Sequence, residues 1–94
     1  MRLSDFEIAT IKEIFHRVFG EGQVYLFGSR VDDSKRGGDI DLYLILSDAG
    51  KMDKKSVFIL KLEDSLGPQK IDIVMAKDSN RPIEQEALRH GIRL

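Results

Sequence analysis

Residues 39–46 read Asp-Ile-Asp-Leu-Tyr-Leu-Ile-Leu, an alternation with the two-residue period of a β-strand. The even positions Ile40, Leu42, Leu44 and Leu46 are all apolar and pack into a core. The odd positions Asp39, Asp41, Tyr43 and Ile45 begin acidic and turn apolar along the strand. The other segments arrange themselves around this one. Before it, Ile8, Ile11, Ile14, Phe15, Val18 and Phe19 form one helical stripe. Ser4 and Glu7 have the spacing of a capping box, Leu3 and Ile8 that of a hydrophobic staple, and Gly20 stands at the stop. A short β-rich run over 23–27 ends at Gly28-Ser29, and a polar stretch over 30–38, closing on Gly37-Gly38, predicts a tight turn.

After the central strand, residues 53–66 predict a second helix stopped by Gly67-Pro68. Residues 70–75 predict a third strand, with Ile71, Ile73 and Met75 on one face and Asp72 and Val74 on the other. Pro82 opens a last short helix and Gly91 closes it. The expected fold is α/β (α+β), a small mixed sheet with helices in the order α-β-β-α-β-α. With 94 residues and no repeat or linker, one domain over 1–94 is expected.

Composition narrows the chemistry. The chain has no cysteine, which removes disulfides, thiolate zinc sites and cysteine nucleophiles. Fifteen Lys and Arg against sixteen Asp and Glu leave a formal charge of −1, so bulk attraction to nucleic acid or membrane is not expected. No apolar run is long enough to span a bilayer, and the sequence turns charged by Asp5, too early for a secretory signal. A cytoplasmic setting is the expectation.

Asp39 and Asp41 point to one face of their strand, about 6–7 Å apart at a rise of ~3.3 Å per residue. Carboxylates at that spacing repel unless a cation lies between them, and Mg²⁺ commonly joins one or two carboxylates to substrate phosphates. Asp72 is a third carboxylate set between apolar neighbours in another strand, where Asp is disfavoured. Taken singly, these aspartates read first as solvent-facing or strand-end residues; the glycine pair ahead of them and the third carboxylate are what favour a site. Gly28-Ser29, directly after an apolar strand, supplies a turn whose N–H groups can cradle an anion. Ser29 adds a hydroxyl and Arg30 a cationic fork suited to phosphate. Neither a Walker loop nor a Gly-x-Gly-x-x-Gly fingerprint is present.

Other positions read as structural. His16 falls at a helix surface edge, His90 at a helix end, and Lys51, Lys54 and Lys55 at a solvated helix start. Tyr43 shares the aspartates' strand face and either borders a ligand or is partly buried.

Leu26-Phe27-Gly28-Ser29, nine residues, Asp39-Ile40-Asp41-Leu42, and then Asp72 within Ile71-Asp72-Ile73-Val74 together resemble the DNA polymerase-β-type nucleotidyltransferase superfamily. Within it, the chain is most similar to the minimal nucleotidyltransferase (MNT) proteins. Gly38 stands where many relatives carry Ser, and the interval is one residue shorter than a common form; neither change removes a functional group. The resemblance implies that Gly28 and Ser29 hold nucleotide phosphates, with Arg30 as a weaker phosphate contact. It implies that Asp39 and Asp41 bind two Mg²⁺ ions, and that Asp72 completes the metal site near the attacking hydroxyl. It also implies a setting: transfer of NMP, AMP from ATP, to a hydroxyl of a HEPN-type helical toxin for which this chain is the antitoxin. Two alternatives stand beside that reading. One is an inert binding module or regulatory subunit that neutralises its partner by contact. The other is a different nucleotide enzyme, such as a sugar-nucleotide or aminoglycoside-type transferase, which needs a second acceptor-binding domain.

Overall fold

The computed structural model describes residues 3–31 and 39–94. Helix α1, Asp5–Phe19, starts where the capping box places it: Ser4 Oγ accepts from the Glu7 N–H at 3.1 Å and Glu7 Oε1 accepts from the Ser4 N–H at 2.9 Å. Leu3 packs against the core from just outside the helix. The helix ends at Gly20, whose N–H donates to the His16 carbonyl. Strand β1, Gly22–Phe27, follows and turns through a short 3-10 segment, Gly28–Val31. Positions 32–38 of the expected polar turn lie outside the described residues. Strand β2 is Ile40–Leu46, and a 3-10 segment, Ala49–Lys54, precedes helix α2, Lys55–Leu66. Lys51 and Lys54 fall in that lead-in and Lys55 opens α2; Lys54 and Lys55 are exposed, as expected of a solvated helix start, while Lys51 is half-buried. Strand β3, Ile71–Met75, and helix α3, Pro82–His90, complete the expected order.

One element is additional. Ile92 and Arg93 form a two-residue strand, β4, opposite Leu26 and Tyr25 of β1. Two residues carry no readable period, so the sequence gives no sign of it.

The sheet order is β3-β2-β1-β4, with β1 antiparallel to both neighbours and β2 parallel to β3. A parallel pair needs a crossover, and α2 provides it. Helices α1 and α2 cover one sheet face. There Phe15, Phe19 and Phe58 stack with ring centroids 5.2–6.2 Å apart, over Val24, Leu26, Leu42, Leu44 and Ile73. On the opposite face a smaller cluster of Phe27, Tyr43 and Ala87 joins α3 to the sheet. Among the described residues, no helix is long and apolar enough to cross a membrane.

Candidate active site

Cross-strand register decides which side chains meet. On the α3 face one row runs Phe27–Asp41–Asp72, and the next runs Tyr25–Tyr43–Val74. Helix α3 packs over the second row. The first lies at the sheet end where parallel β2 and β3 begin and antiparallel β1 finishes, so the Gly28 turn arrives beside the two aspartates. Asp72 is exposed and Asp41 half-buried.

Gly28 has φ +76°, a conformation that L side chains rarely adopt. A Cβ added there would collide with the Asp41 carboxylate, standing 3.1 Å even from its Cγ. The turn backbone is therefore pressed onto the carboxylate as only glycine allows. Ser29 belongs to the same 3-10 segment. Arg30 donates to Gln69 Oε1 at 3.2 Å, tying this turn to the loop that enters β3.

Burial pushes the Asp41 carboxyl above its ordinary pKa. The charges of Asp72 and Asp39 and a hydrogen bond with Asp72 add to the rise, while Lys70 opposes it. Asp39 lies just ahead of β2, with Oδ2 3.5 Å from Lys70 Nζ. The structure thus brings Gly28, Asp41 and Asp72 together, with Asp39, Lys70 and Arg30 at the margin. Among the described residues no three His, Asp or Glu side chains are gathered tightly enough to form a ready cation cage. The donor set nevertheless suits a hard divalent ion: all oxygen, with burial first and the neighbouring carboxylates second making Asp41 hold its proton more tightly.

Glu84 was not singled out by its sequence context. It is only 1% exposed, on α3. Its carboxylate accepts from the Tyr43 hydroxyl at 2.7 Å, the Asp78 N–H at 2.9 Å, and the Lys77 N–H and Arg81 guanidinium at 3.2 Å each. Burial pushes this carboxyl up, but those hydrogen bonds and the Arg81 charge outweigh it and hold it below the usual range. Tyr43 is driven the other way, up to about 12, by burial first and by Glu84 second. It remains a proton donor locked under α3, so of its two expected roles burial is the one observed. His16 is exposed, with Nδ1 3.1 Å from the Gly20 carbonyl at the end of α1, and His90 lies 4.0 Å from Glu86. His16 thus lies on the surface of α1 and His90 at the end of α3, as expected.

This arrangement can be set beside known proteins. The family model "Polymerase beta, Nucleotidyltransferase" matches residues 9–94. The chain belongs to that family. A solved structure of the toxin–antitoxin pair MntA-HepT, in a double Asp-to-Glu variant, superposes with a TM-score of 0.73 at 18% identity, covering 97% of this chain and 71% of that one. At that identity the likeness establishes a shared fold. Comparison with curated proteins returns no match. As a polymerase-β-type nucleotidyltransferase domain, the chain carries its acidic row where two parallel strands begin, beyond the row that α3 covers, with Asp72 exposed.

Proposed function

We propose that this domain is a Mg²⁺-dependent nucleotidyltransferase that moves AMP from ATP onto a hydroxyl of a partner protein. We further propose that it works in the cytoplasm as the antitoxin of a pair whose toxin is a HEPN-type helical protein. The observation that carries the reading is the single row of Asp41 and Asp72 with the Gly28 backbone pressed against it. Family membership supports the transfer chemistry. The toxin–antitoxin setting draws support from the superposed MntA-HepT structure.

In this reading the turn over Gly28 and Ser29 holds the triphosphate tail by its N–H groups, and Arg30 neutralises part of its charge. The acceptor hydroxyl oxygen attacks the α-phosphorus, the bond to the bridging oxygen of the β-phosphate breaks, and pyrophosphate leaves with that electron pair. Asp72, the most open of the three carboxylates, takes the hydroxyl proton. Asp39, Asp41 and Asp72 would hold Mg²⁺, which when bound supplies charge neutralisation for the phosphates. Positioning and charge account for most of the acceleration in such transfers, which suits a small domain whose acceptor arrives on another protein.

The test is transfer of label from α-labelled ATP to the co-purified partner, wild type beside Asp41→Asn. Asn keeps the side chain's size, so the variant is expected to fold and to lose transfer. Undiminished transfer would overturn the assignment. If Asp39→Asn/Asp41→Asn still neutralises the partner, contact rather than chemistry is the antitoxin's means.

A further inference from the structure

Strand β3 lies at an edge of the sheet, and among the described residues no further strand pairs with its outer side. The ladder to β2 fixes which of its backbone groups face outward. The Lys70 carbonyl accepts from the Ile40 N–H and the Ala76 N–H donates to the Leu44 carbonyl, so even-numbered residues turn toward β2. In a strand the N–H and C=O of one residue point to the same side, and sides alternate. Those of Ile73 and Met75 therefore point away from the sheet.

An open hollow of about 500 Å³ lies against this edge. Ile73 and Met75 line it, together with the charged side chains of Asp53, Lys55, Lys77 and Arg81. It lies toward the far end of β3 from the acidic row, Met75 being about 10 Å along the strand from Asp72 at ~3.3 Å per residue. Ile73 directly follows Asp72, so the hollow begins beside the acidic row and runs away from it.

Open edges are usually blunted by proline, by a bulge or by charge within the strand. Strand β3 has no proline, its one charged residue is Asp72, and its register with β2 runs unbroken from Ile71 to Met75, so the stretch from Ile73 to Met75 is uncharged. Further charge lies around the hollow. Arg81 is engaged by Glu84 at 3.2 Å, while Lys55 and Lys77 are exposed. With Arg81 balanced by Glu84, the two lysines against the single carboxylate of Asp53 favour an acidic guest.

We propose that this edge takes up an extended, acidic segment of a partner protein as a fifth strand. The segment pairs with the backbone of Ile73 and Met75 and sets carboxylates against Lys55 and Lys77. A second copy of this chain offers only the uncharged run Ile73-Val74-Met75 at this point of the edge. A nucleic acid has no backbone that could continue the ladder. This docking is independent of the transfer chemistry.

The probe is a short, acetylated and amidated peptide of alternating valine and glutamate, added to the intact chain. Binding is read by fluorescence anisotropy, and amide hydrogen exchange is read residue by residue. The peptide is expected to bind and to slow exchange at Ile73 and Met75, whereas its valine–lysine counterpart leaves both unchanged. The pair Lys55→Glu/Lys77→Glu should weaken binding roughly tenfold, since two rim attractions become repulsions. Glu at the first turn of α2 suits the helix dipole, so this variant keeps its fold. Absence of binding at about 1 mM peptide would overturn the proposal. So would binding that leaves the two amides unprotected, self-association of the chain that protects them, or displacement of the peptide by a single-stranded oligonucleotide.

Discussion

Gly28 and Asp41 form the tightest coupling in the site, because the missing side chain of one is the space taken by the carboxylate of the other. Gly28→Ala therefore does two things. It places a non-glycine residue at φ +76°, at a cost of about 1–2 kcal/mol, and it displaces the Asp41 carboxylate. A reacting group misplaced by about 1 Å loses on the order of 100-fold in rate. The expected outcome is a variant that remains folded by circular dichroism and loses transfer by about that factor. A Gly28→Ala protein with wild-type transfer would mean that the turn does not set the carboxylate's position. This part of the site was legible in the chain, since a glycine after an apolar strand and two aspartates at strand spacing fix backbone placement. Glu84 was not, because its partners come from β2 and from the β3–α3 loop. Nor does hydrophobic spacing reveal it: α3 buries Glu84 and Ala87 while Ile83 and Leu88 are 43% and 42% exposed.

At the scale of elements, that carboxylate is the polar anchor between α3 and the sheet, beside the apolar cluster of Phe27, Tyr43 and Ala87. It gathers the Tyr43 hydroxyl from β2, two loop N–H groups and Arg81, a network whose centre is buried and whose outer members are partly exposed. Removing its centre leaves those donors without an acceptor. Glu84→Ala is expected to cost about 3 kcal/mol or more, whereas Tyr43→Phe, which deletes one hydrogen bond, should cost about 1 kcal/mol. Urea unfolding of both single variants and the double variant checks this, and purely additive losses would mean that the two residues act separately. On the other face, Phe58 is fully buried between Phe15 and Phe19. Phe58→Ala should cost about 3–5 kcal/mol by leaving a cavity between α1 and α2, measured in the same way. Helices, strands and their order were legible because each has a period and a stop signal. The pairing of β4 with β1 was not. It depends on where α3 delivers the chain, and two residues are too few to show an alternation.

Across the whole molecule, two carboxylates set opposite demands on pH. Glu84 has a folded pKa held below its ordinary value. Its contribution to stability is therefore complete above the ordinary carboxyl range and is lost as pH falls through the depressed value. Asp41 has a folded pKa raised by burial and by Asp72 and Asp39. Its contribution is present below the ordinary carboxyl range and is lost as pH rises through the raised value, so near neutrality the acidic row strains the fold that displays it. The core and the α3 anchor bear that strain, and a bound cation would relieve it. Two consequences can be measured by thermal unfolding at neutral pH. Asp41→Asn removes one of the repelling charges while keeping a donor for Asp72, so without divalent ions it should melt above the wild type. Adding millimolar Mg²⁺ should raise the wild-type melting temperature, because a ligand bound only by the folded state stabilises it, and should raise that of Asp41→Asn much less. The two curves are then expected to converge, or to cross, as Mg²⁺ is added. If Asp41→Asn melts lower than wild type without metal, the carboxylate row is not a source of repulsion. If both proteins respond equally to Mg²⁺, the ion binds elsewhere, and the acidic row is no metal site.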